Sequence, residues 1–379
     1  MSSLFGSANT ASNSSLFGSS STTTPATSSS FGNVQVQPEL SGDRELSSPP
    51  EDSISDLSFS PQAEFLAVSS WDKKVRIYEL APNGDSQGKA LYEHQGPVLS
   101  VHWSKDGTKV VSGGSDKAGR LYDLQSGQSQ QIAAHDATIR SVRFVDAGNS
   151  GQQMVATASW DKTLKYWDLR SPQAVSTVQL PERTYAMDTQ QKLLVVGTAE
   201  RHICVFDLNN PGVIFKTIPS QLKMQTRAIT CYLSANGFAV GSIEGRCAFQ
   251  YVEDRDQQKS GFSFKCHRDN VTPGPRSEAN VYSVNAISIH PQYGTFSTAG
   301  SDGMFHFWDK DSKHRLKGYN SLGASIPCTA FNRNGTIFAY ALSYDWSKGY
   351  QFNTPNYPNV VRLHATTDEE VKPRPPKKR

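Results

Sequence analysis

The chain has 379 residues and a net charge of +3, from 38 Lys+Arg against 35 Asp+Glu. It is therefore no polycation, and any contact with nucleic acid has to come from a local patch. A hydrophobic content of 36% supports a sizeable core, while a mean hydropathy of −0.51 and the lack of a long apolar run exclude a spanning helix and membrane insertion.

Five cysteines, Cys204, Cys231, Cys247, Cys266 and Cys328, are scattered and form no CxxC pair. That usage fits a reducing compartment without a disulfide framework or a metal site. The N-terminus carries neither an apolar secretory core nor an Arg-rich amphipathic start.

In chain order, residues 1–40 come first, rich in Ser, Thr, Asn and Gly and almost uncharged. With so few groups able to form a core, this leader is expected to be disordered. Leu4-Phe5-Gly6-Ser7 recurs as Leu16-Phe17-Gly18-Ser19, and Phe31-Gly32 adds a third Phe-Gly. Isolated phenylalanines in such a chain resemble the FG repeats of nucleoporins, which make weak multivalent contacts.

Between residues 41 and 366 one pattern recurs. A short β-rich run ends in small or hydroxyl residues, meets an acid in a turn, and resumes as a second run that often ends aromatic-acid, as at Tyr78-Glu79, Trp167-Asp168 and Trp308-Asp309. The turn acids are Asp72, Asp116, Asp161, Glu200, Glu244, Asp302 and Asp345, at spacings of 44, 45, 39, 44, 58 and 43 residues. This period with its Trp-Asp ending resembles the WD40 repeat, one four-stranded propeller blade per unit. The expected fold is all-β, a seven-bladed WD40 β-propeller over residues 41–366. The first repeat already has its inner strands near Ser53–Phe59 and Phe65–Ser70, which leaves the last blade one strand short. Arg44–Leu46 is expected to supply that strand beside Val360–His364, so that the two chain ends clasp the ring.

Two sets of residues imitate a Ser/His/Asp triad: His94, Ser112 and Asp116, and His135, Ser159 and Asp161 with Trp167. In WD40 repeats these types form a structural hydrogen-bond network, and recurrence in several repeats points to scaffolding rather than to one active site. No G-x-S-x-G, Walker loop, H-E-x-x-H or zinc spacing is present. The chain is read as no enzyme, with no cofactor and no small-molecule substrate.

The turn between the second and third strands of a blade shares a face with the loop leading into the first. Trp71 and Trp160 stand directly before their turn acids, and a tryptophan at a turn tip suggests a partner-binding face. Gln221–Arg227 adds Lys223 and Arg227 there, which an acidic peptide would complement. Across the longest spacing, Phe262 and Phe264 alternate on one side of an outer strand, followed by Lys265, with Arg246 opening a nearby strand. Trp308 and Lys310 follow, with Lys313, Arg315 and Lys317 close behind. Aromatics interleaved with cations suit single-stranded nucleic acid, rings stacking bases while cations hold phosphates. After Thr366 come Asp368-Glu369-Glu370 and the Pro-broken basic run Lys372–Arg379, so residues 367–379 read as a short basic tail resembling a nuclear localisation signal.

Longer strings narrow the resemblance. Ser159-Trp-Asp-Lys-Thr-Leu-Lys-Tyr-Trp-Asp-Leu-Arg170, Glu182-Arg-Thr-Tyr-Ala-Met187 and Gly241-Ser-Ile-Glu-Gly-Arg246 are similar to the superfamily of RNA-export and Bub-class spindle-checkpoint propellers. Phe264-Lys-Cys-His-Arg268, Phe307-Trp-Asp-Lys-Asp311 and Ala341-Leu-Ser-Tyr-Asp-Trp-Ser-Lys-Gly349 resemble its nuclear mRNA export factor branch. The resemblance implies a non-catalytic adaptor at the nuclear pore and envelope that shuttles to the cytoplasm. Such an adaptor binds an acidic GLEBS-type segment of a GLFG nucleoporin and assists export of polyadenylated mRNA as ribonucleoprotein or single-stranded RNA. By position, Trp71 and Arg227, with Trp160 and Lys223, would contact the nucleoporin segment. Arg246, Phe262, Phe264, Lys265, Trp308 and Lys310 would face RNA. The alternatives are a checkpoint propeller reading acidic motifs of kinetochore kinases and a ubiquitin-ligase substrate adaptor. The Phe-Gly leader, the YDWSKG ending and the basic tail favour export.

Overall fold

A computed structural model describes residues 40, 42–148, 151–270 and 278–374. Residues 1–39 of the expected leader, with all three Phe-Gly units, and 375–379 of the tail lie outside the described residues. Seven four-stranded antiparallel sheets form the blades of a propeller, in agreement with the seven turn acids. We number the blades in chain order and letter their strands a to d from the central channel outward. Blades 1–6 span 54–93, 98–134, 139–179, 184–219, 226–265 and 284–318. Blade 7 combines Thr329–Phe331, Ile337–Leu342 and Val360–Ala365 with Arg44–Glu45.

The core is divided among the seams between blades. Each strand alternates side chains between two faces, and each face meets the next blade in an apolar cluster of its own. Val111 and Leu121 of blade 2, for instance, pack on Ile139, Val142, Val155 and Trp167 of blade 3. Tyr166 and Leu164 of blade 3 pack on Met187, Leu194, Val196 and Phe206 of blade 4. The 58-residue spacing holds two insertions in the fifth unit: a helix at Asp254–Ser260 between strands c and d, and a ribbon pairing Arg268–Asn270 with Ala279–Val281.

The clasp forms as expected. Arg44 pairs with Leu363 and Glu45 with Arg362, and the Leu46 amide donates to the Val361 carbonyl at 2.9 Å. Leu46 is buried in the seam between blades 7 and 1. A polar network locks the joint. The Tyr340 hydroxyl donates to Asp43 at 2.6 Å, and His364 Nδ1 lies 2.7 Å from the other Asp43 oxygen. His364 Nε2 lies 3.4 Å from Glu370, which also accepts the Tyr319 hydroxyl at 2.6 Å. The sequence boundary at 366 falls short of this lock. Asp368–Val371 form a helical turn with a Thr367/Glu370 capping box. Val371 is buried against blade 6, and Arg374 donates to the Leu316 carbonyl. The opening of the run read as a short basic tail is therefore docked on the propeller.

Burial opposes a charged ring at His364, but Asp43 and Glu370 outweigh it and hold its pKa above the usual histidine range. A raised pKa contributes stability that is fully present below the unfolded value of about 6.5 and is lost as pH rises through the folded value. His364→Gln should therefore lower Tm more at pH 6 than at pH 8.5, the gap narrowing by about 2 °C in calorimetry. Deleting residues 41–50 removes the strand, Leu46 and the Asp43 lock together. It should lower Tm by more than about 10 °C, and an unchanged Tm would mean that the clasp does not close the ring.

Candidate functional site

The b–c turns and the loops entering strand a make one end of the ring, here the upper face. In all seven blades the residue after the turn acid has a left-handed backbone: Lys73, Lys117, Lys162, Arg201, Gly245, Gly303 and Trp346, with φ from 61° to 72°. In blades 5 and 6 a side chain is excluded, because a Cβ would stand 2.4 Å from the His267 carbonyl oxygen or 2.5 Å from that of Ala324. In blades 1–4 the position is open and holds a cation each time. Glycine would adopt this conformation without the strain that any other residue bears there.

The turns are pinned from beneath by hydrogen-bond chains. In blade 3, His135 Nδ1 lies 2.8 Å from Asp161, Nε2 lies 2.7 Å from the Thr157 hydroxyl, and the Trp167 indole donates to that same hydroxyl at 2.8 Å. This geometry puts the proton on Nδ1 and lets Nε2 accept from Thr157. Burial holds His135 below its usual range, and so neutral. Burial opposes a charged Asp161, yet the Thr163 hydroxyl, His135 and the Asp136 amide keep its carboxyl below the usual carboxylate range. Ser159, expected in the network, instead accepts from the Asp161 amide and donates to the Ala137 carbonyl. Thr157 takes its place because it stands four residues before the turn acid, as Ser112 and Thr298 do in their blades, whereas Ser159 lies at the strand's end, opposite the bulge of strand a.

Blade 2 repeats the chain with His94, Ser112 and Asp116. Blade 6 repeats it in full: His267 meets Asp302 at 2.8 Å and Thr298 at 3.0 Å, and the Trp308 indole donates to Thr298 at 2.9 Å. Each of these histidine side chains is fully buried. Such rings bind turns rather than substrates.

The four upper-face residues read from the sequence are spread around the ring. Trp71 stacks on Trp346 of blade 7, with ring centroids 3.9 Å apart, and is half-buried. Trp160 is 44% exposed. Lys223 is exposed on the loop into blade 5, beside exposed Met224 and near the exposed Ile243 turn tip. Arg227 does not stand on the face. It turns into the channel mouth, where Nη2 donates to the Asp345 carbonyl at 3.0 Å. The left-handed cations and Trp346 escaped the sequence reading, although Asp-Lys or Glu-Arg at four consecutive turns was a visible signal.

The second set gathers at the outer edge of the seam between blades 5 and 6. Phe262 stacks on buried Phe249 at 5.0 Å, and Phe264 lies 4.7 Å from Trp308. All three candidate rings are half-buried. Lys265 is exposed and pairs in register with Arg246, whose Nε lies 3.7 Å from Glu244. Lys310 lies 5.9 Å from the Tyr232 ring and bonds Asp311 at 2.6 Å. Two further cations cover the rings: Lys313 Nζ stands 4.7 Å from the Phe262 centroid and Arg315 lies 5.9 Å from that of Trp308. Phe264 and Trp308 are also part of the apolar seam, so each serves packing on one side and the surface on the other.

The WD domain, G-beta repeat, matches residues 44–79, 86–123 and 127–168. Each match starts at or beside an outer strand and runs through strands a to c of the next blade, so the repeat is one strand out of phase with the blade. The chain is 60% identical to mRNA export factor GLE2 of Chaetomium thermophilum, over 95% of this chain and 98% of that one. It is 56% identical to the Poly(A)+ RNA export protein of Schizosaccharomyces pombe, over 96% and 100%. Protein Rae1 of Drosophila melanogaster is 44% identical, over 91% and 99%.

Thr157→Val keeps the shape but strips His135 Nε2 and the Trp167 indole of their partner. It should cost about 2 kcal/mol in urea denaturation, and Thr298→Val should cost a similar amount. Equal losses at the two sites are the mark of scaffolding; no loss at either would show that the chains do not hold the turns.

Proposed function

Because the chain belongs to the mRNA export factor family of WD40 propellers, we propose that it is a non-catalytic adaptor in the export of polyadenylated mRNA from the nucleus. The propeller bridges a GLFG nucleoporin, held through an acidic GLEBS-type segment on the upper face, and ribonucleoprotein or single-stranded RNA, met at the outer edge of blades 5 and 6. Its place is then the nucleus and the pore, with passage to the cytoplasm.

The observation that carries this reading is the run of Lys73, Lys117, Lys162 and Arg201 in left-handed turns of four successive blades. Cations kept at strained positions where glycine would sit more easily favour an acidic partner on that face. Exposed Trp160, Met224 and Ile243 offer apolar anchors nearby. At the edge of the other seam, Phe262 and Trp308 under Lys313 and Arg315 suit a base on the ring and a phosphate on the cation. The relatives from Chaetomium thermophilum and Schizosaccharomyces pombe are named for RNA export, so export leads.

Reversing Lys73 and Lys117 together to Glu should weaken an acidic GLEBS-type peptide at least about tenfold in fluorescence anisotropy and flatten its salt dependence. Affinity equal to wild type would remove the arc from the site. Lys313→Glu with Arg315→Glu should lower single-stranded RNA crosslinking while leaving peptide affinity intact. Recovery of a GLFG nucleoporin from nuclear extract with and without nuclease tests the bridge itself, since the adaptor predicts capture in both.

A further inference from the structure

The outermost strand of a blade is an open edge, and an edge strand is a template for pairing unless something guards it. On strand d, blade 1 carries Lys89, blade 4 Lys216, blade 5 Lys265, blade 6 Lys317 and blade 7 Arg44. Blade 2 has no charge on Gln128–Ala134, but a bulge at Ile132 breaks that run and Lys165 of blade 3 donates to the Ala134 carbonyl at 3.0 Å. Strand d of blade 3, Ala174-Val-Ser-Thr-Val-Gln179, has neither a charge nor a proline. Its one bulge, at Val175, leaves Ser176–Gln179 regular.

The backbone parity of this edge is fixed by its inner neighbour. The Leu180 amide donates to the Lys162 carbonyl at 2.8 Å, and Val178 and Ser176 stand opposite Leu164 and Tyr166. Bonded and unbonded positions alternate along an antiparallel ladder. The amides and carbonyls of Thr177 and Gln179 therefore point away from the blade, and both side chains are exposed.

A second observation falls on the same edge. The loop before strand d of blade 4 lies against this strand, since a Cβ on Gly212 would stand 3.5 Å from the Ser176 hydroxyl. Val213 and Phe215 of that loop are 57% and 59% exposed, and Val175 is 49% exposed. Apolar surface from two blades thus adjoins the unguarded strand, away from both the upper face and the edge of blades 5 and 6. Exposed apolar surface of this kind marks an interaction site.

We propose that this edge pairs antiparallel with the same edge of a second copy of the chain, joining two blade 3 sheets into one of eight strands. Whatever covers the edge must be an extended strand, uncharged, with its own outward groups in matching parity, and a second copy meets all three conditions. A twofold axis at Thr177 sets Thr177 opposite Thr177, Ser176 opposite Val178 and Val175 opposite Gln179, so every outward group finds its counterpart. So short a strand pair, even with Val213 and Phe215 beside it, falls below the roughly 1,200–2,000 Å² of a standard interface, and the dimer is weak. Antiparallel pairing turns the two ring axes opposite ways, so the upper faces of the dimer look in opposite directions. The proposal does not rest on the adaptor reading.

Sedimentation equilibrium of the full chain tests it. The mean mass should rise from the 41.6 kDa of one chain towards twice that value as concentration climbs through about 1–100 μM. Thr177→Lys sets like charges opposite each other on the axis and should weaken association at least about tenfold. Thr177→Val, uncharged and β-branched, should keep it. Should Thr177→Lys fail to fold by circular dichroism, Gln179→Lys is read in its place. Hydrogen exchange gives a second readout, since the Thr177 and Gln179 amides should slow as wild-type concentration rises. A wild type that keeps the mass of one chain throughout overturns the proposal. So does a dimer that Thr177→Lys leaves untouched, because the copies would then meet elsewhere. Protection of the Gln179 amide that appears only with an added foreign protein would assign the edge to that protein's strand and overturn the second copy.

Discussion

A propeller blade is a sheet too small to hide either of its faces, and everything else in this molecule follows from that shortage. Each blade can be dry only if both neighbours are present, so the apolar core is distributed over the seams and no blade can exist as a unit on its own. Closure is therefore the condition for stability rather than an addition to it. The joint between blades 7 and 1 bears this condition most directly. There the bond between the first and the last parts of the chain is built from one short strand, one buried leucine and a carboxylate–imidazole–carboxylate bridge.

Once the ring is closed, the molecule divides its polar groups into two populations. The histidine–hydroxyl–acid chains under the turns are buried and satisfied, so their value lies in holding the turns still. Of the cations at the turn tips, Lys162 pairs with Glu182 and Arg201 donates to the Ser220 carbonyl, while among the described residues Lys73 and Lys117 carry no ion pair. In blade 3 the turn acid, its amide hydrogen bonds and the histidine beneath fix the backbone that holds Lys162 left-handed. The upper face thus draws its charge from the scaffold that makes it rigid. The outer edge of blades 5 and 6 works differently, since its aromatics are the margin of a seam, half in the core and half available.

Much of this was legible in the residues. The turn acids counted the blades, and the position of the first inner strands implied that the chain's start completes its last blade. Legibility failed where a neighbour distant in sequence decides an outcome. Thr157 rather than Ser159 meets His135 because the buried ring reaches the hydroxyl four residues before the turn acid, while Ser159, on the same face, is engaged at the turn itself. Arg227 points into the channel because of a bulge that no local pattern announces. Trp71 meets Trp346 across the closing joint, a pairing that depends on closure itself. Asp368–Val371 looked like a charged tail because its one apolar residue, Val371, finds a pocket on blade 6 that composition does not reveal. The site residues share this limit: their types could be read, whereas their grouping belongs to the ring.

The clasp also sets a timetable. Glu45 waits for Arg362, a partner 317 residues later. At about 5–20 residues per second, a ribosome needs roughly 15–60 s to cover that distance. Throughout that interval the seam of blade 1 that faces blade 7 has nothing to cover it. Strand edges left open in this way are templates for foreign pairing. Every nascent copy therefore passes through a period when it needs shielding, and a message truncated anywhere before the seventh blade yields a chain that never leaves that state. For this fold an incomplete product is an exposed apolar edge rather than a smaller working protein, which makes completeness itself something that a cell's quality control can sense.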